Sequence, residues 1–378
     1  MLASRTAASL LLVATLAACQ TSGDGPADDL DFSEADAALE SYLTEHGLEG
    51  ATFAIVHRDY GLVHLRAFGR FEPNRIFLLA SSSKVLSAGI LMRLADQGVL
   101  DVDAPVSTYL SDFGEYKSDI TVAQLLSNSA GMVGLIDDAL YGPYICQYLD
   151  YGNITTCGVK IYMADDAADR VAPDSRFRYG GGQWQLAGAI AEFASGKTWE
   201  ELVDETYSRP CGLESLGYAN YFARTITLES TEPAYLTNFE GDVSTLNPTT
   251  NPNIEGGAYA DAEDYAKLLL MHLRGGTCGK RRVLGEASVA RMQEDRIAAY
   301  GGNTGDPELP GYGFGWWVSR DRPGILADAG AFGASPWLDL GRGYGAVILV
   351  ESGSSTGPAI RLATQPAIER AFDALPMN

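Results

Sequence analysis

The sequence predicts an α/β protein of the α+β kind: an antiparallel sheet flanked by helices, carrying an inserted helical lobe. Three observations point there. A helix and a hairpin open the chain. Four segments rich in aromatic and β-branched residues (312–320, 324–328, 333–340 and 344–351) close it, joined by tight glycine-containing turns and followed by a helix. Between about 105 and 250 the pattern changes to short helices separated by long irregular stretches. Strands close in sequence and linked by tight turns pair antiparallel. Bringing the two ends together gives an α/β lobe of about 33–105 and 250–378 and a helical lobe of about 106–249. A cleft lies between them, and binding sites prefer such boundaries. At 378 residues the chain exceeds the reach of one ordinary core, so a two-part unit or two domains is expected.

The N-terminus stands apart from that fold. MLASRTAASLLLVATLAACQ places one arginine before an apolar run of signal-peptide length. The run is too short to remain as a membrane span. Leu16-Ala17-Ala18-Cys19 resembles a bacterial lipobox, in which cleavage precedes the cysteine and its thiol takes a diacylglycerol. On that reading 1–18 is a lipoprotein signal peptide and Cys19 the lipidated residue. Residues 19–32, rich in Gly, Asp, Ser and Pro, are then a flexible tether. A periplasmic protein anchored to the membrane is expected, and Gln20 leans toward the outer membrane. The alternative is a plain secretory signal with an incidental Cys19.

Export shapes how the other cysteines read. Cys146, Cys157, Cys211 and Cys278 form an even set in an oxidising compartment, which favours disulfides. Three connectivities are open. Cys146–Cys157, closing a short loop, with Cys211–Cys278 is the favoured one. Metal is disfavoured, because neither Cys-x-x-Cys nor a paired histidine motif occurs. The formal net charge of −22 and pI of about 4.5 repel phosphate backbones and argue against a nucleic-acid partner.

The elements follow in order. Ala35, Ala38, Leu39, Tyr42 and Leu43 share one face of a helix over 34–46, capped by Ser33 and ended by Gly47. Strands near 50–58 and 62–69 flank the turn Asp59-Tyr60-Gly61. A long helix covers 81–98. Short helices follow at 121–127, 182–195 and 199–207, the last begun by a Thr198/Glu201 capping box. Asp261 and Asp264 start a helix running to Gly275. A final helix over 357–375 is interrupted by Pro366.

The chemistry begins at FLLASSSKVLSAGIL, residues 77–91. Ser81 and Lys84, three apart on a helix, share a face. A serine hydroxyl needs a base before it attacks, and a lysine serves as one when its ammonium is destabilised by burial or a nearby cation. The flanking apolar residues supply burial. The helix N-terminus supplies N–H groups for an oxyanion. No other lysine in the chain has a serine three residues before it. Taken alone, the pair also reads as a helix cap beside a solvated lysine. Support comes from RFRYGGGQWQLAGAI, 176–190, where Tyr179 precedes three glycines and a helix. Glycines leave a phenol uncrowded, and a phenol near an ammonium can relay protons.

Together these segments resemble the serine β-lactamase-related superfamily, in its class C β-lactamase, family VIII carboxylesterase and D-aminopeptidase branch. The resemblance covers about 35–375 and implies a β-lactamase/transpeptidase-like fold. LLASSSKVLSAG is similar to the Ser-x-x-Lys element. LLSNSAGM resembles a region usually reading Leu-Leu-x-His-Thr-Ser-Gly-Leu. SRFRYGGGQWQLAGAIAE resembles the Tyr-x-Asn element. IEGGAYADAEDYAKLLLMHLRGG resembles the Gly-Gly stretch and its helix. GYGFGWW and DAGAFGASPWLDL resemble the strands bearing the Lys/His-x-Gly element. The resemblance implies Ser81 as acylated nucleophile, Lys84 as its proton partner and Tyr179 as a second acid/base, with either of the latter two as acylation base. Gly330 falls on the glycine of the third element, and the N–H groups of Ser81 and Ala331 form the oxyanion hole. Two positions depart: Asp328 stands where a cation or imidazole is usual, and Gly181 where the asparagine is. A carboxylate at 328 facing substrate repels an anionic β-lactam by about 1 to 4 kcal/mol; the alternative is a structural carboxylate in a strand turn.

Three functions of different class follow. The first is an acyl-enzyme serine hydrolase for carboxylic esters or small amides, needing no cofactor. The second is a D-amino-acid amidase, peptidase or β-lactamase acting on cell-wall-type substrates, with Asp328 attracting a substrate ammonium. The third is a non-catalytic envelope binding protein with a degenerate site. A Ser-His-Asp hydrolase lacks its Gly-x-Ser-x-Gly elbow here, and no His-x-x-x-His supports a metallohydrolase.

Overall fold

The computed structural model describes residues 29–110, 117–225 and 233–375. Residues 1–28, including the lipobox and Cys19, lie outside the described residues. Helix α1 (Ser33–His46) leads into strands β1 (Gly50–His57) and β2 (Gly61–Gly69). Ser33 is the first helical residue and not the cap. Asp31 Oδ1 accepts its N–H at 2.8 Å. The predicted tether ends before residue 32, because the Phe32 ring is buried against Phe372 and His64.

A 3₁₀ turn, Ala80–Ser83, precedes α2 (Lys84–Asp96), where the sequence predicts one helix over 81–98. Helices α3 (Gly182–Ser195) and α4 (Ala262–Leu273) lie where expected, and Asp261 caps α4 by accepting the Asp264 N–H. The Thr198/Glu201 capping box is present. Its helix spans only Trp199–Val203 before a wider turn, Asp204–Ser208. The closing strands are β3 (Gly311–Tyr312), β4 (Trp317–Val318), β5 (Ile325–Ala327), β6 (Ser335–Asp339) and β7 (Tyr344–Leu349). The first two replace the single strand predicted over 312–320, because 313–316 turn back, Gly313 N–H donating to Trp316 O at 2.8 Å. Helix α5 (Thr356–Asp373) continues through Pro366. The carbonyl robbed of a donor belongs to Leu362, which is 49% exposed, so water can serve it.

The seven strands form one antiparallel sheet in the order β2-β1-β7-β6-β5-β4-β3. Every residue of β1 and β7 is buried because both faces are covered. Phe53 and Ile55 pack with Ala346 and Ile348 against α1 and α5 residues such as Leu39, Ile360 and Phe372. Their neighbours Ala54, Val56, Val347 and Leu349 face Leu268 and Leu269 of α4.

The lobes share that second core. Leu86, Ile90 and Leu91 of α2 belong to it together with Trp184 and Ile190 of α3. A small sheet also joins them: Ala258–Ala260 pairs with Phe77–Leu78 on one side and with Gly217–Tyr218 on the other. Both favoured disulfides are present. Cys146–Cys157 lies within the helical segment, and Cys211–Cys278 ties that segment to the α/β lobe. Among the described residues, no helix is long and apolar enough to cross a membrane.

His272 on α4 is buried edge-on to Trp316, and neither ring nitrogen has a hydrogen-bond partner among the described residues. Burial pushes its pKa from 6.5 down to about 4. The unfolded chain therefore binds a proton that the fold refuses, and stability falls as pH drops from about 6.5 toward about 4, by at most about 3 kcal/mol. Urea denaturation of wild type and His272→Leu across that window measures it. The variant is expected to show a flatter pH dependence.

Candidate active site

The three consecutive serines have three different tasks. Ala80 carries a φ of +46, a left-handed conformation unfavourable for a side chain with Cβ. It is held there from several sides. Its N–H donates to the Tyr221 hydroxyl at 3.1 Å, and that hydroxyl donates in turn to the Gly256 and Ala258 carbonyls. Ser83 Oγ donates to Ala80 O at 2.6 Å while accepting the Ala258 N–H at 2.9 Å. Ser82, fully buried, donates to the Asp328 carbonyl. Ser81 alone is partly exposed. Positions i and i+3 eclipse in a 3₁₀ turn, so Ser81 lies directly over Lys84, the first residue of α2.

Lys84 has no solvent exposure. Its Nζ donates to Ser81 Oγ and to the main-chain carbonyl of Glu255, both at 3.1 Å, and lies 3.5 Å from Glu255 Oε2. The Tyr179 ring centroid is 4.5 Å from the same nitrogen. The sequence thus brings Ser81, Lys84 and Tyr179 together, as expected. Burial pushes Lys84 down, as the sequence implies, and the acidic groups packed around it push it up, so that it stands above its ordinary value. Burial pushes the Tyr179 phenol up as well, with Lys84 opposing, so at neutral pH it is a neutral hydroxyl. Glu255 is the carboxylate that lies within ion-pair distance of the amine among the described residues. Phe177, Tyr312 and Trp317 surround the Tyr179 ring.

The turn after β5 presses on this site. Gly330 has no room for a side chain: a Cβ there would lie 2.1 Å from Leu79 O and 3.2 Å from Ser82 Oγ. Gly330 N–H is used by Ala334 O at 2.8 Å. The glycine is thus a point of close approach and not a substrate contact. Ala331 is partly exposed, and neither its N–H nor that of Ser81 donates to a backbone carbonyl among the described residues. Two free donors on adjoining turns suit an oxyanion.

Two expected substrate contacts point elsewhere. Asp328 is fully buried, and its carboxylate oxygens have no hydrogen-bond partner beyond a weak approach of the Val85 N–H. Burial pushes it well above the ordinary carboxylate range, against the pull of Lys84. Its side chain is enclosed and presents nothing at the surface. Gly181, also buried, donates its N–H to Glu255 Oε2 at 2.8 Å. Its φ of +84 and ψ of −163 suit glycine alone, and a Cβ would meet Val133 O at 2.8 Å. No asparagine fits there.

Sequence reasoning missed Glu255, Tyr221 and Asn128. Asn128 Oδ1 accepts from Gly180 N, Gln183 Nε2 and Trp184 Nε1 at 3.1, 3.1 and 2.8 Å, which anchors the loop after Tyr179. Its signal was present, since it occupies the usual histidine position of the LLSNSAGM segment. None of the catalytic candidates lines a cavity of about 790 Å³ bordered by Trp199, Tyr218 and Tyr259.

Gly330→Ala tests the close approach. Displacing the Ser81 turn by even 1 Å is expected to lower kcat/KM by about 10²-fold. Steady-state kinetics beside a thermal melt measure this, and an unchanged kcat/KM in the folded variant refutes it.

A family model described as Beta-lactamase matches residues 35–369. Penicillin-binding protein 4 of Amycolatopsis lactamdurans is 25% identical over 345 residues, covering 84% of both chains. Esterase EstB of Burkholderia gladioli is 26% identical over 364 residues, covering 84% of this chain and 89% of the esterase. The solved structure of EstCE1, a hydrolase with promiscuous acyltransferase activity, superposes with a TM-score of 0.72 over 89% of this chain and 97% of that one, at 22% identity. With the family model spanning nearly all of the described fold, the chain belongs to the β-lactamase family.

Proposed function

We propose that the protein hydrolyses carboxylic esters or small amides through an acyl-enzyme on Ser81. One observation carries this reading: a partly exposed serine hydroxyl held at 3.1 Å by a fully buried lysine amine. A relative named as an esterase supports it.

The ammonium and phenol together must give up one proton before they can take another. Once they have, Ser81 Oγ–H passes its proton to the Lys84–Tyr179 pair as Oγ bonds to the substrate carbonyl carbon. The carbonyl π electrons move to oxygen, where the Ser81 and Ala331 N–H groups receive the charge. Collapse breaks the bond to the leaving group, which takes a proton from Tyr179. Water then attacks the acyl-enzyme with the same groups in reverse roles.

The wall beside Ser81 is apolar and aromatic. Leu135, Tyr235 and Ala331 are partly exposed and pack on Phe332, Tyr221 and Phe222. Such a surface favours a neutral acyl group over a charged one. The D-amino-acid reading loses its motive, because the Asp328 side chain is enclosed inside the protein and burial pushes it toward its neutral form.

We further propose a membrane anchor at Cys19, on the strength of Leu16-Ala17-Ala18-Cys19.

A fluorophosphonate probe is expected to label wild type and not Ser81→Ala. Short-chain neutral ester turnover should fall about 10⁴-fold or more in that variant. A chromogenic cephalosporin should turn over more slowly than the ester. Equal labelling of both proteins defeats the assignment. In cells, Cys19→Ser should move the protein from the membrane to the soluble fraction and abolish labelling by a fatty acid. Membrane retention of the variant defeats the anchor.

A further inference from the structure

The steps above leave one carboxylate of the site unused. Glu255 is buried, and three segments grip it. Its main-chain carbonyl and Oε2 both face Lys84 Nζ, at 3.1 and 3.5 Å. Oε2 also takes the Gly181 N–H at 2.8 Å, and Oε1 takes the Tyr148 hydroxyl at 3.4 Å. A Cβ on Gly180 would lie 2.6 Å from Oε2, so the glycine loop closes over the carboxylate only because it lacks side chains. The preceding residue is pinned from both helices. Ile254 N–H donates to Gln185 Oε1 at 3.1 Å, and Ile254 O accepts from Ser87 Oγ at 2.7 Å.

Resting on the acyl-enzyme reading, we propose that Glu255 is a positioning residue for Lys84: it holds the amine against Ser81 and sets how firmly the Lys84–Tyr179 pair keeps the proton it must lose before Ser81 is activated.

The charged and titratable groups facing Lys84 come from four elements. They are Tyr179 from the glycine loop, Glu255 from the segment before Ala258–Ala260, Asp328 from the turn after β5, and Ser81 from its own turn. Tyr148 stands behind Glu255, and Tyr312 behind Tyr179. The phenols and the Asp328 carboxyl are driven by burial toward their neutral forms. Glu255 is the carboxylate within ion-pair distance of Lys84 Nζ, at 3.5 Å, among the described residues. A carboxylate this close favours the doubly protonated pair, in which the amine is an ammonium and the phenol is neutral. The sign is the same whichever of the two gives up the proton, because they titrate as one unit. Taking the charge away must make the pair release its proton at lower pH. Gly181 supplies no side-chain amide to this site, so its backbone N–H and the Glu255 carboxylate together do the holding.

The test is the pH dependence of kcat/KM for a neutral ester, together with the rate at which a fluorophosphonate labels Ser81, in wild type, Glu255→Gln and Glu255→Asp. Glutamine keeps an acceptor for Gly181 and a partner for Tyr148 but no charge. In Glu255→Gln the acid limb of both profiles is expected to move down by about 1 pH unit or more, with kcat changed more than KM. In Glu255→Asp, whose charge retreats by one methylene, it should move the same way by less. A folded Glu255→Gln whose limb coincides with wild type overturns the proposal. If that variant does not fold, an unmoved limb in Glu255→Asp overturns it equally. If wild-type Ser81 takes no label and turns over no ester, the acyl-enzyme reading falls and this proposal with it. If wild type is labelled and the limb stays put, only the role of Glu255 falls.

Discussion

A lysine amine without water is the constraint around which this protein is arranged. An ammonium moved into the interior costs several kcal/mol unless its neighbours replace its hydration. Lys84 has neighbours of the right kind, the Ser81 hydroxyl and the Glu255 carbonyl and carboxylate, but they come from positions far apart in the chain. The fold exists in the form that lets them meet. The small sheet lays 258–260 against 77–78, which sets Glu255 below the serine turn. The left-handed Ala80, clamped by Tyr221 and Ser83, turns Ser81 outward while Lys84 goes in. Removing one member of such a set leaves a buried charge unbalanced. The arrangement is therefore expected to be intolerant of change well beyond Ser81, Lys84 and Tyr179 themselves.

The framework was legible in the sequence where local signals and packing agree. The hairpin of β1 and β2, the capping box at Thr198 and Glu201, Asp261 at the start of α4 and the short Cys146–Cys157 loop are local signals, and Cys211–Cys278 is the pairing left once that loop closes. What escaped was long-range. Nothing near Glu255 announces that its carboxylate meets a lysine 171 positions earlier, because the meeting depends on a three-stranded sheet of two- and three-residue strands. Helix propensity predicts 81–98 as one element, yet the first turn tightens to 3₁₀ because Ser82 and Ser83 are tied to Asp328 and Ala258. Phe32 belongs to a stretch whose composition reads as linker, but a single aromatic ring over α5 suffices to order it.

The two departures from the resembling pattern have physical explanations. Gly181 looked like a lost contact. It is a backbone position that no asparagine can occupy, and its N–H meets a carboxylate supplied from elsewhere. Asp328 reads either as a charge offered to substrate or as a structural carboxylate in a turn, and its burial favours the second, with its carbonyl tied to Ser82. For Gly181 it was the direction that sequence alone misjudged. Direction is set by which neighbour fills the space, and for Gly330 that neighbour is the Leu79 carbonyl.

The charge inventory then bears on what the site can accept. Lys84 lies within ion-pair distance of Glu255, while burial pushes the Tyr179 phenol and Asp328 toward their neutral forms. No arginine or second lysine forms an ion pair with Glu255 or Asp328 among the described residues. A substrate carboxylate entering here would shed water beside a lysine already engaged by Ser81 and Glu255, inside a protein whose formal charge is already −22. Nor can Lys84 turn toward it without abandoning Ser81. The penalty against an anionic substrate thus comes from the absence of an available positive charge and not from repulsion by Asp328. A neutral ester carbonyl asks only for the two N–H groups and an apolar wall, and this site offers both.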